Sequence, residues 1–344
     1  MINDAPLITC VIATYRRPQL LQRAIYSVLN QTFKKVVVFV TDNASGDETA
    51  TVVRAIQAKD SRVFYHCHPE NLGMHANWTY GLSQVKTTFY SILNDDDVLM
   101  PELYEMALAE FDKFPKAMMV ASKVPYVSER GNFIKEQLSC WQRYGLFDPP
   151  EAAFQVAAYA HPEIIGIVFK KALLETPYGF PKANMHGADY EIIFKTCLNY
   201  QIVTIDYEGA LFVQHGGPRA EPDSIALEIV NYCNWINEVE VDSRFPEYIK
   251  AASRSKFLGP ISFLLLRLAL HGERNVFCDI LKLVINYYGE LRLFSKLNSI
   301  NKICSYSDLM RFILLKIITL RNSSRTMLRP NKKYKYSNAL RLCK

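Results

Sequence analysis

Leu7-Ile8-Thr9-Cys10-Val11-Ile12-Ala13, running into Thr14-Tyr15-Arg16-Arg17-Pro18, is the stretch from which the fold can be read. The first segment is uncharged and rich in β-branched residues, the pattern of a strand buried on both faces. Pro18 then opens a helix. Leu20, Leu21, Ala24, Ile25, Val28 and Leu29 recur at helical spacing along it.

The alternation continues outward. Residues 36–41 read as a second buried strand, and Ser45 and Glu48 have the spacing of a capping box opening a helix to residue 58. Residues 63–67 give a third strand. A helix follows Gly73 through Trp78 and Leu82. Residues 89–93 give a fourth strand, ending at Asn94-Asp95-Asp96-Asp97, and another helix follows Pro101. Repeated strand–helix alternation predicts an α/β fold: an open, mostly parallel central sheet with helices on both faces. Beyond residue 120 the pattern loosens. Residues 124–133 fit a hairpin or a loop, 164–169 a strand, 188–200 a helix, 202–207 and 211–214 short strands. From about residue 225 the chain reads as helical.

Ligands of open α/β sheets bind at the carboxyl ends of the strands. Four consecutive strand ends deliver polar groups there: Thr14-Tyr15-Arg16-Arg17, Asp42-Asn43-Ala44-Ser45-Gly46-Asp47, Asn71-Leu72-Gly73 with Asn77, and the acidic cluster. Three adjacent carboxylates repel one another unless a cation or solvent relieves them. Hard oxygen ligands suit magnesium or manganese. The same residues also fit an acidic turn capping the next helix, and Asp42 to Asp47 is good turn composition. The first strand is followed by no GxGxxG, and no GxxxxGK[ST] occurs, which argues against dinucleotide-binding and P-loop enzymes.

Taken together, Thr14–Pro18, Asp42–Thr49, Asn71-Leu72-Gly73 with Asn77, and Asn94–Asp97 with Pro101 resemble glycosyltransferase family 2 in order and spacing, over roughly residues 6–216. The resemblance implies the GT-A fold and an inverting transfer of sugar from a nucleotide-diphosphate donor, a UDP-sugar above all, with Mn2+ or Mg2+. It implies that Thr14, Tyr15, Arg16 and Asp42 hold the nucleoside, with Asn71, Gly73 and Asn77 also on the donor nucleotide. Asp95 and Asp97 would belong to the metal motif, Asp97 in direct contact, while Asp96 faces the ribose or the donor sugar. Asn94 stands where many members have Asp. In His186-Gly187-Ala188-Asp189-Tyr190-Glu191, Asp189 matches the general base, and Ala188 replaces the usual acidic neighbour. A helix cap is the plainer role for Asp189. His215 resembles a late histidine near the diphosphate and metal, where a structural role competes. Trp141, Arg143 and Tyr144 fit either acceptor stacking or ordinary core and loop roles. A sugar nucleotidyltransferase and a non-catalytic sugar-nucleotide or glycan-binding module are the rival functions. The first should carry a glycine-rich loop after strand one, and residues 14–18 have no glycine.

At 344 residues the chain exceeds what one core supports, which predicts two parts. They are a catalytic domain over 1–222, its nucleotide-binding part about 1–120 and its acceptor part about 121–222, and a helical region over 223–344 with a basic tail. The charge divides accordingly. Residues 309–344 hold ten Lys or Arg and no acid, so the preceding body keeps 30 of the 40 basic residues against 34 acidic ones, a balance of about −4. A near-neutral body argues against nucleic acid. In the tail, Met310, Ile313, Leu314, Ile317 and Ile318 share a helical face flanked by Arg311, Lys316 and Arg321. That pattern fits either a helix in the headgroup layer of an anionic membrane or one docked on the catalytic domain. Eight scattered cysteines without CxxC pairs suit a reducing compartment. No leader is read in MINDAPLITC, and no uncharged apolar stretch of 18 occurs. These features predict a cytoplasmic protein, with peripheral contact on the inner face of the membrane through the tail. The resemblance adds a glycan or lipid-linked glycan acceptor and a place in bacterial surface polysaccharide synthesis.

Overall fold

The computed structural model describes residues 5–136, 138–180, 187–215, 222–271 and Val284. Residues 309–344, and with them the predicted tail helix, lie outside the described residues, as does His186.

The first half alternates as expected: β1 (Ile8–Thr14), α1 (Pro18–Leu29), β2 (Val36–Asp42), α2 (Thr49–Gln57), β3 (Val63–Cys67), α3 (Met74–Ser83), β4 (Phe89–Asn94), β5 (Val98–Leu99) and α4 (Leu103–Lys113). Then follow β6 (Met119–Lys123), β7 (Pro125–Ser128), β8 (Phe133–Glu136), β9 (Gly145–Phe147), α5 (Glu151–Ala158), β10 (Ile167–Lys170), α6 (Ala188–Asn199), β11 (Ile202–Glu208) and β12 (Ala210–Gln214). The last two described helices are α7 (Pro222–Val241) and α8 (Glu247–His271). The described chain through His215, apart from Ala157–Tyr159, forms one compact unit, and α7 and α8 belong to a second.

An eight-stranded sheet in the order β3-β2-β1-β4-β10-β6-β11-β9 forms the core. Its first four strands are mutually parallel, whereas β10 enters antiparallel to both β4 and β6. Ile8, Cys10, Val11 and Ile12 of β1 have no exposed surface, as an uncharged central strand requires. Burial of each such side chain is worth about 1.5–3 kcal/mol. Helix α1 buries Leu21, Ala24, Ile25 and Val28 along one stripe. A smaller sheet, β5-β12-β7-β8, carries β12 past the acidic loop.

Two local expectations are corrected. Ser45 does not cap α2. Thr49 instead donates its backbone N–H and its hydroxyl to Asp47 Oδ1, at 2.9 and 2.5 Å, while Ser45 turns back to Asp42. The strand expected over 164–169 begins only at Ile167, because Ile164–Gly166 forms a turn of 3-10 helix. A short apolar run does not distinguish these two shapes. Gly166 decides the matter: a Cβ there would lie 2.4 Å from Val124 Cγ2 and 2.8 Å from Ser122 Oγ. Only a glycine lets the turn press onto β6 and the Val124 that follows it. The 124–133 segment resolves into the β7–β8 hairpin. Among the described residues, no helix is long and apolar enough to cross a membrane.

Candidate active site at the strand ends

In-register parallel pairing sets the site. Thr14 is level with Asp42, and Ala13 with Asn94. The carboxyl ends of β1, β2 and β4 therefore finish in one row. A cleft of about 560 Å3 opens over that edge. Thr14, Tyr15, Asn43, Asn71, Asn77, Asn94, Asp95 and Asp96 line it, and Glu163, Gly187, Asp189 and Phe212 line it from the later part of the chain.

The predicted nucleoside residues are tied to one another. Arg16 and Ala44 both adopt left-handed backbone, with φ of 57° and 59°. Such strain in non-glycine residues persists only where surroundings enforce it. Here the Arg16 N–H donates to Ser45 Oγ at 2.8 Å, and its Nε donates to the Ser45 carbonyl at 3.0 Å. Asp42 is almost wholly buried. Its Oδ1 accepts from the N–H and hydroxyl of Ser45 and its Oδ2 from the Tyr65 hydroxyl, so it braces the turn. Asn43 joins the turn to the next one: it donates to Asn71 Oδ1 at 2.8 Å and accepts from the Leu72 N–H at 2.8 Å. The same Asn71 oxygen receives the Gly73 N–H at 2.9 Å, and Gly73, at φ 83°, leads into α3. Asn77 is held by the hydroxyl and carbonyl of Thr41.

The acidic cluster splits into three roles. Asp95 accepts from the Thr14 hydroxyl at 2.7 Å and from Arg17 at 3.3 Å, and burial raises its carboxyl above the ordinary range. Asp96 receives Arg17 at 2.7 Å and meets His215 Nε2 at 2.5 Å. Asp97, expected to touch metal directly, has both side-chain oxygens held by the protein, and neither it nor His215 lines the cleft. Its Oδ1 accepts from the Val213 N–H and its Oδ2 from the Asn94 amide, both at 2.8 Å. Burial first, and then the neighbouring charges of Asp96 and Glu163, push its carboxyl up to about 8. Asn94 thereby acquires a reason. Its amide donates where a second carboxylate would repel Asp97. Strand β12 pairs with β5 through Leu211 and Val98, which brings Val213 and His215 to this loop.

Asp189 lies in the first turn of α6, whose N-cap is Gly187, so it is not the cap. Its Oδ1 accepts the Tyr190 N–H at 2.8 Å, and the half-buried residue faces the cleft. Trp141 takes the plainer role: it is buried against Phe147 and donates its indole N–H to the Ala160 carbonyl at 2.7 Å. Arg143 pairs with Glu151 and covers Phe147. Arg17, Asn43 and Glu163 are site residues to which the sequence reading gave no role. The first two sat inside quoted motifs. Glu163, a lone acid before an apolar run, carried no signal.

The family model of glycosyl transferase family 2 matches residues 9–172. This segment is a glycosyl transferase family 2 domain. The matched segments cover between 31% and 47% of the length of the first curated relatives. One of these is GalNAc(5)-diNAcBac-PP-undecaprenol beta-1,3-glucosyltransferase of Campylobacter jejuni, 35% identical over 96 residues, which is 28% of this chain and 31% of that protein. Among solved structures, S. aureus TarS 1–349 in complex with UDP-GlcNAc superposes with a TM-score of 0.58 at 16% identity, covering 82% of this chain and 89% of that one. The Pyrobaculum calidifontis mannosyltransferase PcManGT, in complex with GDP-Man and Mn2+, gives 0.54 at 16% identity, over 90% and 85%. These likenesses establish the fold that the family 2 domain shares with them, the GT-A fold.

Proposed function

We propose that this chain is an inverting glycosyltransferase that moves a sugar from a UDP-sugar to an acceptor hydroxyl. The observation that carries the reading is the meeting of Asp95 and Asp96 with Asp189 in one cleft, from opposite ends of the domain's sequence. Thr14, Tyr15, Arg16, Asn43, Asn71, Gly73 and Asn77 build the nucleoside end, with Asp42 bracing the turn behind them. Asp189 takes the proton of the acceptor hydroxyl as its oxygen attacks the anomeric carbon. The carbon–oxygen bond to the diphosphate breaks on the opposite face, so the anomeric configuration inverts.

The residues suit a divalent cation. Among the described residues no three His, Cys, Asp or Glu converge into a complete cage. Asp96 and His215, which meet at 2.5 Å, would offer instead an incomplete pair of oxygen and imidazole donors that the donor's diphosphate would complete, as is usual for Mg2+ and acceptable to Mn2+. A cation there would offset charge gathering on the departing diphosphate. The Mn2+ bound to PcManGT and the UDP-GlcNAc bound to TarS support this class of donor and cofactor. The C. jejuni relative, named for a lipid-linked glycan acceptor, supports an acceptor of that kind.

The test is release of nucleotide diphosphate from a nucleotide-sugar panel with Mn2+, with and without EDTA. Release of UDP that stops on chelation is the expected result. No release from any donor, with UDP still bound, would turn the reading to a binding module.

A further inference from the structure

Glu163 belongs to none of the roles above, yet it is almost wholly buried and lines the cleft. We propose that Glu163, held by Tyr126, accepts a hydrogen bond from a hydroxyl of the donor's sugar and so sets which sugar is transferred. The inference rests on the nucleotide-sugar reading of the cleft and deepens it.

The order of strands supplies the location. Along the sheet, β3, β2 and β1 come first, then β4, then β10. The proposed nucleoside residues sit at the ends of β1, β2 and β3. The acidic loop follows β4, where the diphosphate would lie. Glu163 immediately precedes the Ile164–Gly166 turn and β10, one strand farther on. A donor laid across the strand ends in that order presents its sugar to Glu163, in the same cleft that Asp189 lines.

The chemistry fits a sugar. A carboxylate is an acceptor only, and a hexose offers chiefly hydroxyl donors. Hydrogen bonds to a charged acceptor are the stronger kind. The apolar neighbours Ile164, Ile165 and Phe212 suit the C–H faces of a pyranose ring.

The position is also fixed, which discrimination between epimers requires. The Tyr126 hydroxyl donates to Glu163 Oε1 at 2.5 Å. The Tyr126 ring stacks on Phe212 with centroids 4.4 Å apart at 20°, the two residues being paired across β7 and β12. Lys135 Nζ lies 4.1 Å from the same ring's centroid. Behind Glu163, its carbonyl accepts the Gly166 N–H at 3.0 Å, and the Gly166 carbonyl accepts from Ser122 Oγ at 2.9 Å. These bonds fix the backbone of Glu163, and the Tyr126 hydroxyl fixes its carboxylate.

The experiment compares wild type, Glu163→Gln and Tyr126→Phe in the full chain with Mn2+. Dissociation constants are measured for UDP, for UDP-glucose, UDP-galactose and UDP-GlcNAc, and for deoxy analogues of the best binder. In wild type, one deoxy analogue should bind more weakly than its parent by roughly 10- to 100-fold, the range for a lost hydrogen bond to a charged group. Glu163→Gln should weaken the parent by a similar factor and bind parent and analogue alike, with UDP affinity unchanged. Tyr126→Phe should give a smaller effect of the same pattern and keeps the test decisive if Glu163→Gln fails to fold. Unchanged sugar discrimination in a folded variant overturns the proposal, as does a weakened acceptor KM with donor affinity intact. Absence of UDP binding in wild type removes the underlying reading itself, and the proposal with it.

Discussion

Asp96 and His215 lie 119 residues apart in sequence, and their side chains meet at 2.5 Å, Oδ2 to Nε2. Arg17 reaches the same Asp96 oxygen at 2.7 Å. A cation and an imidazole gather on this oxygen, which is why a divalent ion for the donor diphosphate is proposed here rather than at Asp97. Asp96→Asn should lower transfer at least about 100-fold, and His215→Gln should weaken Mn2+ by roughly 10- to 100-fold, as loss of a metal-supporting partner does. A transfer assay checks the first, and isothermal titration of both variants with Mn2+ in the presence of UDP checks the second. An Asp96→Asn protein that still binds Mn2+ as wild type would move the cation elsewhere.

Asp97 should behave in the opposite way. Its carboxyl is pushed up to about 8, chiefly by burial, so near neutrality in the metal-free protein it keeps its proton. Asp97→Asn keeps the oxygen that accepts the Val213 N–H, and the Asn94 amide turned end for end can accept the new N–H, so the variant should retain activity within about tenfold of wild type, a smaller loss than a transition-state contact causes. The stability effect has a definite sign. The folded state holds this proton more tightly than the unfolded chain does, so the contribution is fully present below the ordinary carboxylate value of 3.8 and is lost as pH rises to about 8. With EDTA present, the melting temperature of Asp97→Asn minus that of wild type should increase between pH 5 and pH 8, within that window. A flat difference would mean that Asp97 is ionised throughout.

Asp189→Asn preserves the shape and the oxygen that accepts the Tyr190 N–H while removing the base. Turnover should fall at least about 100-fold, the lower end for general acid–base catalysis, with UDP-sugar affinity nearly unchanged. Wild-type turnover in this variant would transfer the base to another carboxylate, with Glu191 the first to examine.

The strand–helix half of the domain was legible because periodicity is a local property. Buried runs such as 7–13 and 36–41 state their own environment, and the strand-end rule then located the cleft. What sequence could not supply was the division of labour within Asp95, Asp96 and Asp97. Three identical side chains in a row differ through what the rest of the fold brings against them: the Thr14 hydroxyl to Asp95, Arg17 and His215 to Asp96, the Val213 N–H and the Asn94 amide to Asp97. Asp47, and not Ser45, accepts the Thr49 N–H at the start of α2, while Ser45 is committed to Asp42, and that division is invisible in spacing. Glu163 depends on a tyrosine 37 residues away, and β10 inserts antiparallel into the sheet through contacts that no local pattern announces.

The tail offers a separate test. Residues 309–344 carry ten Lys or Arg and no acid, and each cation near an anionic surface adds about 1 kcal/mol. Deleting them should shift the protein from sedimenting anionic vesicles to the supernatant at low salt, and high salt should partly reproduce the shift by screening. Full-length protein that stays in the supernatant with anionic vesicles at low salt excludes the membrane contact.

Gly81 shows how closely the cleft is tied to packing. It lies on α3 one turn after Asn77, and a Cβ added there would sit 2.5 Å from Val11 Cγ1 and 3.0 Å from Thr41 Cγ2. Two effects oppose each other in Gly81→Ala. Alanine raises intrinsic helix stability by about 0.8–1 kcal/mol. Overpacking against a filled core costs about 1–3 kcal/mol. The contact to Val11 is the tighter one, and Val11 belongs to β1 in the middle of the sheet with no exposed surface, so it has little room to yield. The packing cost should win, leaving a net loss of about 1 kcal/mol. The relief available is for α3 to move off the sheet, which stretches the hydrogen bonds from Thr41 to Asn77 and from Asn77 back to the Thr41 carbonyl, now 2.7 and 3.1 Å. Gly81→Ala should therefore unfold at lower urea and also bind UDP more weakly, although residue 81 itself does not line the cleft. A variant as stable as wild type with unaltered UDP affinity would show that Val11 and Thr41 absorb the methyl group and that α3 is not held by this contact.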